Sequence, residues 1–284
     1  MLEVLAAGPL STIQDLGRPG HQHVGVTRSG AVDRASLVRA NLLVGNEPGA
    51  AGLELSLGRF RALFRVSTTV ALSGATAPVT ISGRAAELGA PQAIRAGEDL
   101  QVGAPTRGLH VYLAVAGGID VSPILGSRST DTLSGIGPPP LRPGTQLPIR
   151  ADLVRVVGTT HSKRPNGQPF VQDQRVEVRV RFGPRDGWFT DPTVLTRNPY
   201  RLSTSNRIGA RLDGPPLTRS VRGELPSEGL IPGAIQVPGD GQPIVFLADH
   251  PATGGYPVIA VVHPDDLAFV AQARPGASVV FCGP

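Results

Sequence analysis

No apolar run in this chain goes far before a glycine or a proline stops it. Gly and Pro number 36 and 28 in 284 residues, and they fall between short apolar stretches rather than in tracts. Glycine supplies positive φ at no steric cost and proline presets φ, so each such site reads as a turn. A chain cut this often has no room for long helices. What it can build is many short strands joined by tight turns. The length is enough for a real core, as one large β domain or two smaller ones.

Alternation is cleanest at 176–182, where Val176, Val178, Val180 and Phe182 take turns with Glu177, Arg179 and Arg181. That is the pattern of a strand with one face in a core. Shorter apolar runs at 2–6, 53–57, 70–72, 79–81, 100–102, 109–115, 200–204, 234–237, 243–248, 258–262 and 277–281 read as further strands. Two helices are expected. Asp33 caps the first, over 34–44, with Leu37, Val38, Leu42 and Leu43 on one face and Gly45 as its stop. Pro264 opens the second, over 265–272, with acidic residues in its first turn. Segment 183–196 has room for a short helix near Trp188, Phe189 and Val194. The polar, Gly-rich segment 11–21 reads as a loop, and 161–174 as a linker. The expected division is an N-terminal β-rich domain, 1–160, and a C-terminal one, 175–284.

One turn device recurs. Arg95-Ala96-Gly97, Arg142-Pro143-Gly144 and Arg274-Pro275-Gly276 are each followed by apolar residues three and five positions after the glycine. Each reads as a tight turn feeding a half-buried strand. Its presence in both halves argues for a closed or nearly closed β architecture.

The net charge of +5 rests on arginine, since Lys163 is the only lysine. There is no GK[ST] motif and so no Walker-type nucleotide site. Neither Schiff-base chemistry nor attachment of biotin or lipoate to this chain is expected. The arginines are scattered and aromatic residues make up only 4%, which argues against nucleic acid as a partner. No run of 18 apolar residues exists, so no membrane span is expected, and the N-terminus lacks the basic region of a signal peptide. His21 and His23 alternate, but no further His or Cys lies at ligand spacing, so no metal site is expected. A single cysteine, Cys282, excludes an internal disulfide and fits a reducing, cytoplasmic location.

The densest polar set lies in 227–258, SEGLIPGAIQVPGDGQPIVFLADHPATGGYPV. Two apolar runs flank the turn Pro238-Gly239-Asp240-Gly241, and a second glycine turn, Thr253-Gly254-Gly255, leads into Tyr256-Pro257. Glu228, Gln236, Gln242, Asp249, Thr253 and Tyr256 then fall near turns and strand ends. That arrangement suits a small-molecule pocket, and equally plain hairpin loops. Arg207 and Arg211 lie four apart around glycines, and a guanidinium fork matches a carboxylate with two bonds. Arg128 sits among Ser127, Ser129 and Thr130, which makes either an anion site or a turn whose hydroxyls satisfy the backbone. Arg18 lies three residues from Asp15, close enough to pair with it across a turn.

Five stretches carry a resemblance: TIQDLGRPGHQHVGVTRSGAVD, GLELSLG, YLAVAGGIDVSPILGSRST, SNRIGARLDGP and SEGLIPGAIQVPGDGQPIVFLADHPATGGYPVIA. They resemble the biotin-dependent carboxyltransferase family, also described as allophanate hydrolase subunit 2, KipA-like proteins, or the C component of bacterial 5-oxoprolinase. The match runs from Thr12 to Phe281. It implies a mainly β chain with cyclophilin-like β-barrel architecture, two β-rich domains and a few short helices. It also implies a KipI-like partner, the B component. In the 5-oxoprolinase system a LamB/YcsF-like A component joins, and the complex uses ATP to open 5-oxo-L-proline to glutamate. In urea carboxylases the equivalent region moves a carboxyl group from carboxybiotin to urea, with biotin on a separate carrier. In one bacterial lineage the pair instead regulates a sporulation kinase. Two departures stand out. A proline run, Pro138-Pro139-Pro140, follows the GSRST motif, and Asn206 stands where the family carries an acid.

Residue type and motif position together suggest roles. Arg18, Arg128, Arg207, Arg211, Gln236, Gln242 and Thr253 are expected to bind substrate, with Arg207 or Arg211 on its carboxylate. Glu228, Asp249 and Tyr256 are expected to be catalytic, either acid moving a proton or orienting an arginine. An amide pocket suits 5-oxoproline, urea and allophanate alike, so the substrate stays open.

Overall fold

The computed structural model describes residues 1–150, 175–221 and 223–283. The expected linker, 161–174, and Lys163 lie outside the described residues. The chain folds as two compact units, neither of them continuous in sequence. The first holds Met1–Arg18, Asp33–Asp131 and the described residues from 135 to 150. The second holds Pro19–Val32, Thr132–Ser134 and the described residues from 175 onward.

The strands of the first unit are β1 (Leu2–Ala7), β2 (Leu10–Gln14), β3 (Gly52–Ser56), β4 (Phe60–Phe64), β5 (Thr68–Thr76), β6 (Val79–Ile81), β7 (Arg84–Ala85), β8 (Pro91–Ile94), β9 (Asp99–Val102), β10 (Arg107–Val115) and β11 (Gln146–Leu147). They form two sheets, ordered β11-β1-β4-β9-β6-β7 and β2-β3-β10-β5-β8. Leu2, Val4, Phe60 and Phe64 of one sheet and Leu53, Leu55, Val111 and Leu113 of the other belong to one buried apolar cluster. Helix α1 (Arg34–Leu43) starts where expected: the Asp33 carboxylate accepts from Ser36 N at 3.0 Å and Ser36 Oγ at 2.6 Å. Its buried face is Leu37, Ala40 and Asn41, whereas Leu42 faces solvent, so the apolar stripe is narrower than its leucines suggest.

The sequence misleads at β2. Residues 11–14 read as loop because Ser, Thr and Gln dominate, yet all four are buried and pair antiparallel with β3, Ile13 opposite Leu53. Burial is tolerated because the side chains find partners. Ser11 Oγ donates to Ala7 O at 2.6 Å, and Gln14 Nε2 donates to Thr12 Oγ1 at 3.0 Å and Thr130 O at 2.9 Å.

The strands of the second unit are β12 (Arg175–Phe182), β13 (Pro199–Ser205), β14 (Gly209–Asp213), β15 (Glu228–Gly229), β16 (Ala234–Gln236), β17 (Ile244–Phe246), β18 (Thr253–Gly254), β19 (Val258–Val262) and β20 (Ser278–Cys282). Seven of them close a barrel, β12-β19-β16-β17-β14-β13-β20, in which β12 and β20 run parallel. The alternation at 176–182 is realised: Val176, Val178 and Val180 enter the barrel core while Glu177, Arg179 and Arg181 face out. Two short helices, α2 (Val194–Arg197) and α3 (Leu267–Gln272), complete the unit. The chain is mainly β, with a closed barrel and few helices, as expected. No helix among the described residues is long and apolar enough to cross a membrane.

The recurrent Arg-x-Gly device is the same turn three times. Gly97, Gly144 and Gly276 have φ of 88, 86 and 95°, which a side chain rarely adopts. In each, the residue after the glycine donates its N–H to the arginine carbonyl, at 3.0, 3.0 and 2.9 Å. Each glycine N–H in turn donates to a carbonyl outside the turn, that of Phe64, Val4 or Leu202. The turn thus pins the start of β9, β11 and β20.

Candidate functional site

In the first unit the hydroxyl-rich segment around Arg128 holds an anion, and that anion is Asp15. Its carboxylate accepts from Ser127 Oγ at 2.6 Å, Ser129 Oγ at 2.5 Å, Arg128 N at 2.6 Å and Gly17 N at 2.8 Å. The Arg128 guanidinium turns elsewhere, donating from Nε to Val121 O at 2.6 Å. Arg18 is wholly buried and donates from Nη2 to Ser129 O. Gly137 lies against that same carbonyl, and a Cβ there would fall 2.0 Å from it. The segment is thus organised by the chain's own carboxylate, with Arg18 on its Ser129 carbonyl and the Arg128 guanidinium directed to Val121.

In the second unit Arg207 and Asp249 form a buried pair. The Ser205-Asn206-Arg207 corner between β13 and β14 is shaped by Asn206, whose Oδ1 accepts from Ile208 N at 2.8 Å and Gly209 N at 3.0 Å. The residue that replaces the family's acid thus serves as a turn-forming acceptor. Asp249 N donates to Arg207 O at 2.9 Å, extending the β14–β17 ladder. Side chain meets side chain there: Arg207 Nε to Asp249 Oδ2 at 2.8 Å and Nη2 to Oδ1 at 2.9 Å, with Nη2 also on Gly30 O at 2.7 Å. Ser29 Oγ (2.6 Å), Thr132 N (2.9 Å) and Thr132 Oγ1 (2.7 Å) complete the carboxylate's shell. Burial pushes the Asp249 carboxyl up, but the Arg207 charge and these hydrogen bonds prevail and hold it below its ordinary value. Arg207 is 1% exposed. The expected carboxylate ligand is thus closed on a protein carboxylate, and Asp249 is saturated with donors.

Gln236 and Tyr256 make a contact of their own, apart from the Arg207–Asp249 hydrogen bonds. Gln236 Nε2 donates to Tyr256 O at 2.8 Å. Gly254 lies over this amide, where a Cβ would meet Nε2 at 2.6 Å. The supposed turn Thr253-Gly254 is instead strand β18, paired with β15, with Glu228 opposite Gly254. Thr253 and Arg211 are exposed on β18 and β14. Gln242 serves the backbone: its Oε1 accepts from Gly214 N at 2.8 Å and its Nε2 donates to Gly214 O at 3.2 Å.

Two residues at this end of the barrel escaped the sequence reading. Arg185 makes a two-bonded ion pair with Glu228 and lies 5.6 Å from the Trp188 ring centre. Hydrogen bonding from Arg185 holds the Glu228 carboxyl below its usual value. Arg219 donates from Nη2 to Val237 O at 2.5 Å and lies 5.6 Å from the Tyr256 ring centre. No motif marks these residues, because each finds its partner across 18 to 43 residues of chain. A cleft of about 320 Å³ adjoins Arg219, walled by Pro216, Leu217 and Thr218 on one side and Pro238–Gly241 on the other. The chemistry on offer at this end is amide and hydroxyl hydrogen bonding (Gln236, Tyr256), an ionised acceptor (Glu228) and guanidinium groups.

Comparison with known proteins fits this picture. Residues 24–283 match the family model described as carboxyltransferase domain, subdomain A and B. The chain is 38% identical to the 5-oxoprolinase C component of Escherichia coli, over 99% of this chain and 90% of that protein. The solved structure of TTHA0988 superposes with a TM-score of 0.87 at 34% identity, covering 99% of this chain and 56% of that one. The urea amidolyase structure from K. lactis superposes with a TM-score of 0.89 at 29% identity, covering 99% of this chain but 18% of that one. The chain thus spans little more than half of the first of these solved chains and under a fifth of the second. On its sequence and its fold together, it belongs to the carboxyltransferase-domain family, subdomains A and B.

Proposed function

We propose that the chain is the C component of an ATP-dependent 5-oxoprolinase, which opens the lactam of 5-oxo-L-proline to give glutamate. The observation that carries this reading is the 38% identity to the Escherichia coli 5-oxoprolinase component over nearly the whole of both chains. A KipI-like B component and a LamB/YcsF-like A component complete the complex in the cytoplasm, and ATP handling lies with them. The part of this chain is to hold the lactam at the barrel rim. Gln236 and the Tyr256 hydroxyl supply hydrogen bonds, Thr253 lines the approach, and Glu228 is the nearby acceptor. The test is glutamate formation by the three components together, with and without ATP. ATP-dependent glutamate that disappears when this chain is left out supports the proposal; glutamate at the same rate without it overturns the proposal.

A second reading is favoured by the TM-score of 0.89 to a urea amidolyase. In it the same rim accepts a carboxyl group from a carboxybiotin carrier and passes it to urea or another amide, both acting as substrates. Carboxylation of urea in the presence of a biotinylated carrier, without 5-oxoproline turnover, would select it. Tight binding of a KipI-like protein with no turnover in either assay would select a regulatory role.

A further inference from the structure

We propose that Arg219 anchors the carboxylate of the bound molecule, in place of the arginines the sequence points to. The ligand class is a small carboxylate with an N–H one carbon away. Naming it 5-oxo-L-proline rests on the function proposed above.

An arginine that captures a carboxylate has to be held in place and must not already be matched by a protein carboxylate. Most fixed arginines of the barrel unit fail the second condition: Arg179 is on Asp266, Arg185 on Glu228, Arg197 on Asp191 and Arg207 on Asp249. Arg211 is exposed on its strand. Arg219 meets both conditions. The Val237 carbonyl and the face of Tyr256 fix its guanidinium, and no carboxylate among the described residues pairs with it. Its Nε is buried and finds no acceptor among the described residues.

The setting fits a small molecule. Arg219 lines the cleft of about 320 Å³, at the lower end of the usual range for ligand sites. Leu217 N donates to Gly241 O at 3.0 Å, so the two walls are joined at their base. Gly241 has φ of +76°, and a Cβ there would meet Pro216 at 3.0 Å, so glycine is what lets the walls close. Asp240 lines the same cleft as Arg219, and its Oδ1 accepts from Gln242 N at 3.0 Å. The Asp240 carboxylate is the acceptor for the ligand N–H, which sits beside the carboxylate in 5-oxo-L-proline and is absent from simple carboxylates.

The test is calorimetric binding of 5-oxo-L-proline and of 2-pyrrolidinone, the same lactam without its carboxylate, to the full chain. Wild type is expected to prefer the acid by about 10- to 100-fold, the range for charge-assisted hydrogen bonds. Arg219→Gln should remove the preference, Arg219→Lys should keep part of it, and Asp240→Asn should weaken the acid while sparing the order of preference. Circular dichroism checks that each variant is folded; should Arg219→Gln unfold, Arg219→Lys and Asp240→Asn decide alone. Equal binding of both lactams by wild type, binding of neither, or an unchanged preference in the folded variants overturns the proposal. The two readings fail separately. A complex that makes glutamate with an unchanged KM in Arg219→Gln removes the anchor and leaves the function. Arg219-dependent binding in a complex that makes no glutamate does the reverse.

Discussion

Arg207 and Asp249, 42 residues apart in sequence, meet as a buried two-bonded ion pair, 2.8 and 2.9 Å long. The same carboxylate gathers Ser29 and Thr132, and the same guanidinium holds Gly30 O. One pair therefore ties two distant pieces of chain into the barrel unit, and its loss has consequences for stability before any for chemistry.

Replacing Asp249 with Ala leaves the Arg207 charge buried and unmatched. The expected loss is about 3–5 kcal/mol of folding stability, read from urea denaturation. Replacing both, as Arg207→Met with Asp249→Leu, should cost much less than the sum of the single changes. An additive result would show that the two side chains do not act as a pair.

The pair also sets an acid limit. The Asp249 carboxyl titrates below its ordinary 3.8 in the folded chain. Above that ordinary value both folded and unfolded chains carry the charge, and the contribution is present in full. Below it the unfolded chain takes up the proton first, so stability falls as pH drops toward the folded value. Urea midpoints should decline from about pH 4 downward, near the unfolded carboxylate value, and the decline should be shallower in the double variant. An identical acid slope in both proteins would remove Asp249 as its source.

A fragment spanning 175–284 lacks Ser29, Gly30 and Thr132, three of the partners of this pair. It should melt at a lower temperature than the barrel does in the full chain, or show no cooperative transition, by circular dichroism. A fragment as stable as the whole would show that the inserted loops are dispensable.

Gly254→Ala places a methyl group 2.6 Å from Gln236 Nε2 and 2.9 Å from Leu230. The amide must leave Tyr256 O, at an expected cost of about 1–3 kcal/mol for overpacking. In a Gln236→Ala background the added methyl finds space and the cost should shrink. A double-mutant cycle measures that difference, and zero coupling would contradict the contact.

Gly97, Gly144 and Gly276 have open space where a Cβ would go, so only φ opposes a side chain. Alanine at each should cost about 1–2 kcal/mol, the penalty of left-handed backbone, and nearly the same at all three. Thermal denaturation of the three variants checks both the size and the equality.

Much of the fold is legible in the sequence because its cues are local. Alternation in Val176–Val180, the Asp33 cap and the Arg-x-Gly turns each act within a few residues, and each is found where the residues place it. β2 is misread because Ser11, Thr12 and Gln14 become tolerable in a core only through partners as distant as Thr130. The site follows the same division. The family's motifs single out Arg207, Asp249, Gln236 and Tyr256, but residue type does not say whether a guanidinium will meet a ligand or a neighbouring carboxylate. Only the fold separates Arg207, already matched, from Arg219, which is not.

The parallel seam between β12 and β20 joins Arg175 to Ser278 and Arg179 to Cys282. A ribosome makes those partners roughly a hundred residues apart, so the barrel cannot shut until its last stave has left the exit tunnel. For the whole of that interval β12 and β13 present bare edges to water, a template for illegitimate pairing. Nascent chains stalled before residue 278 should therefore be far more dependent on chaperones than chains released after it.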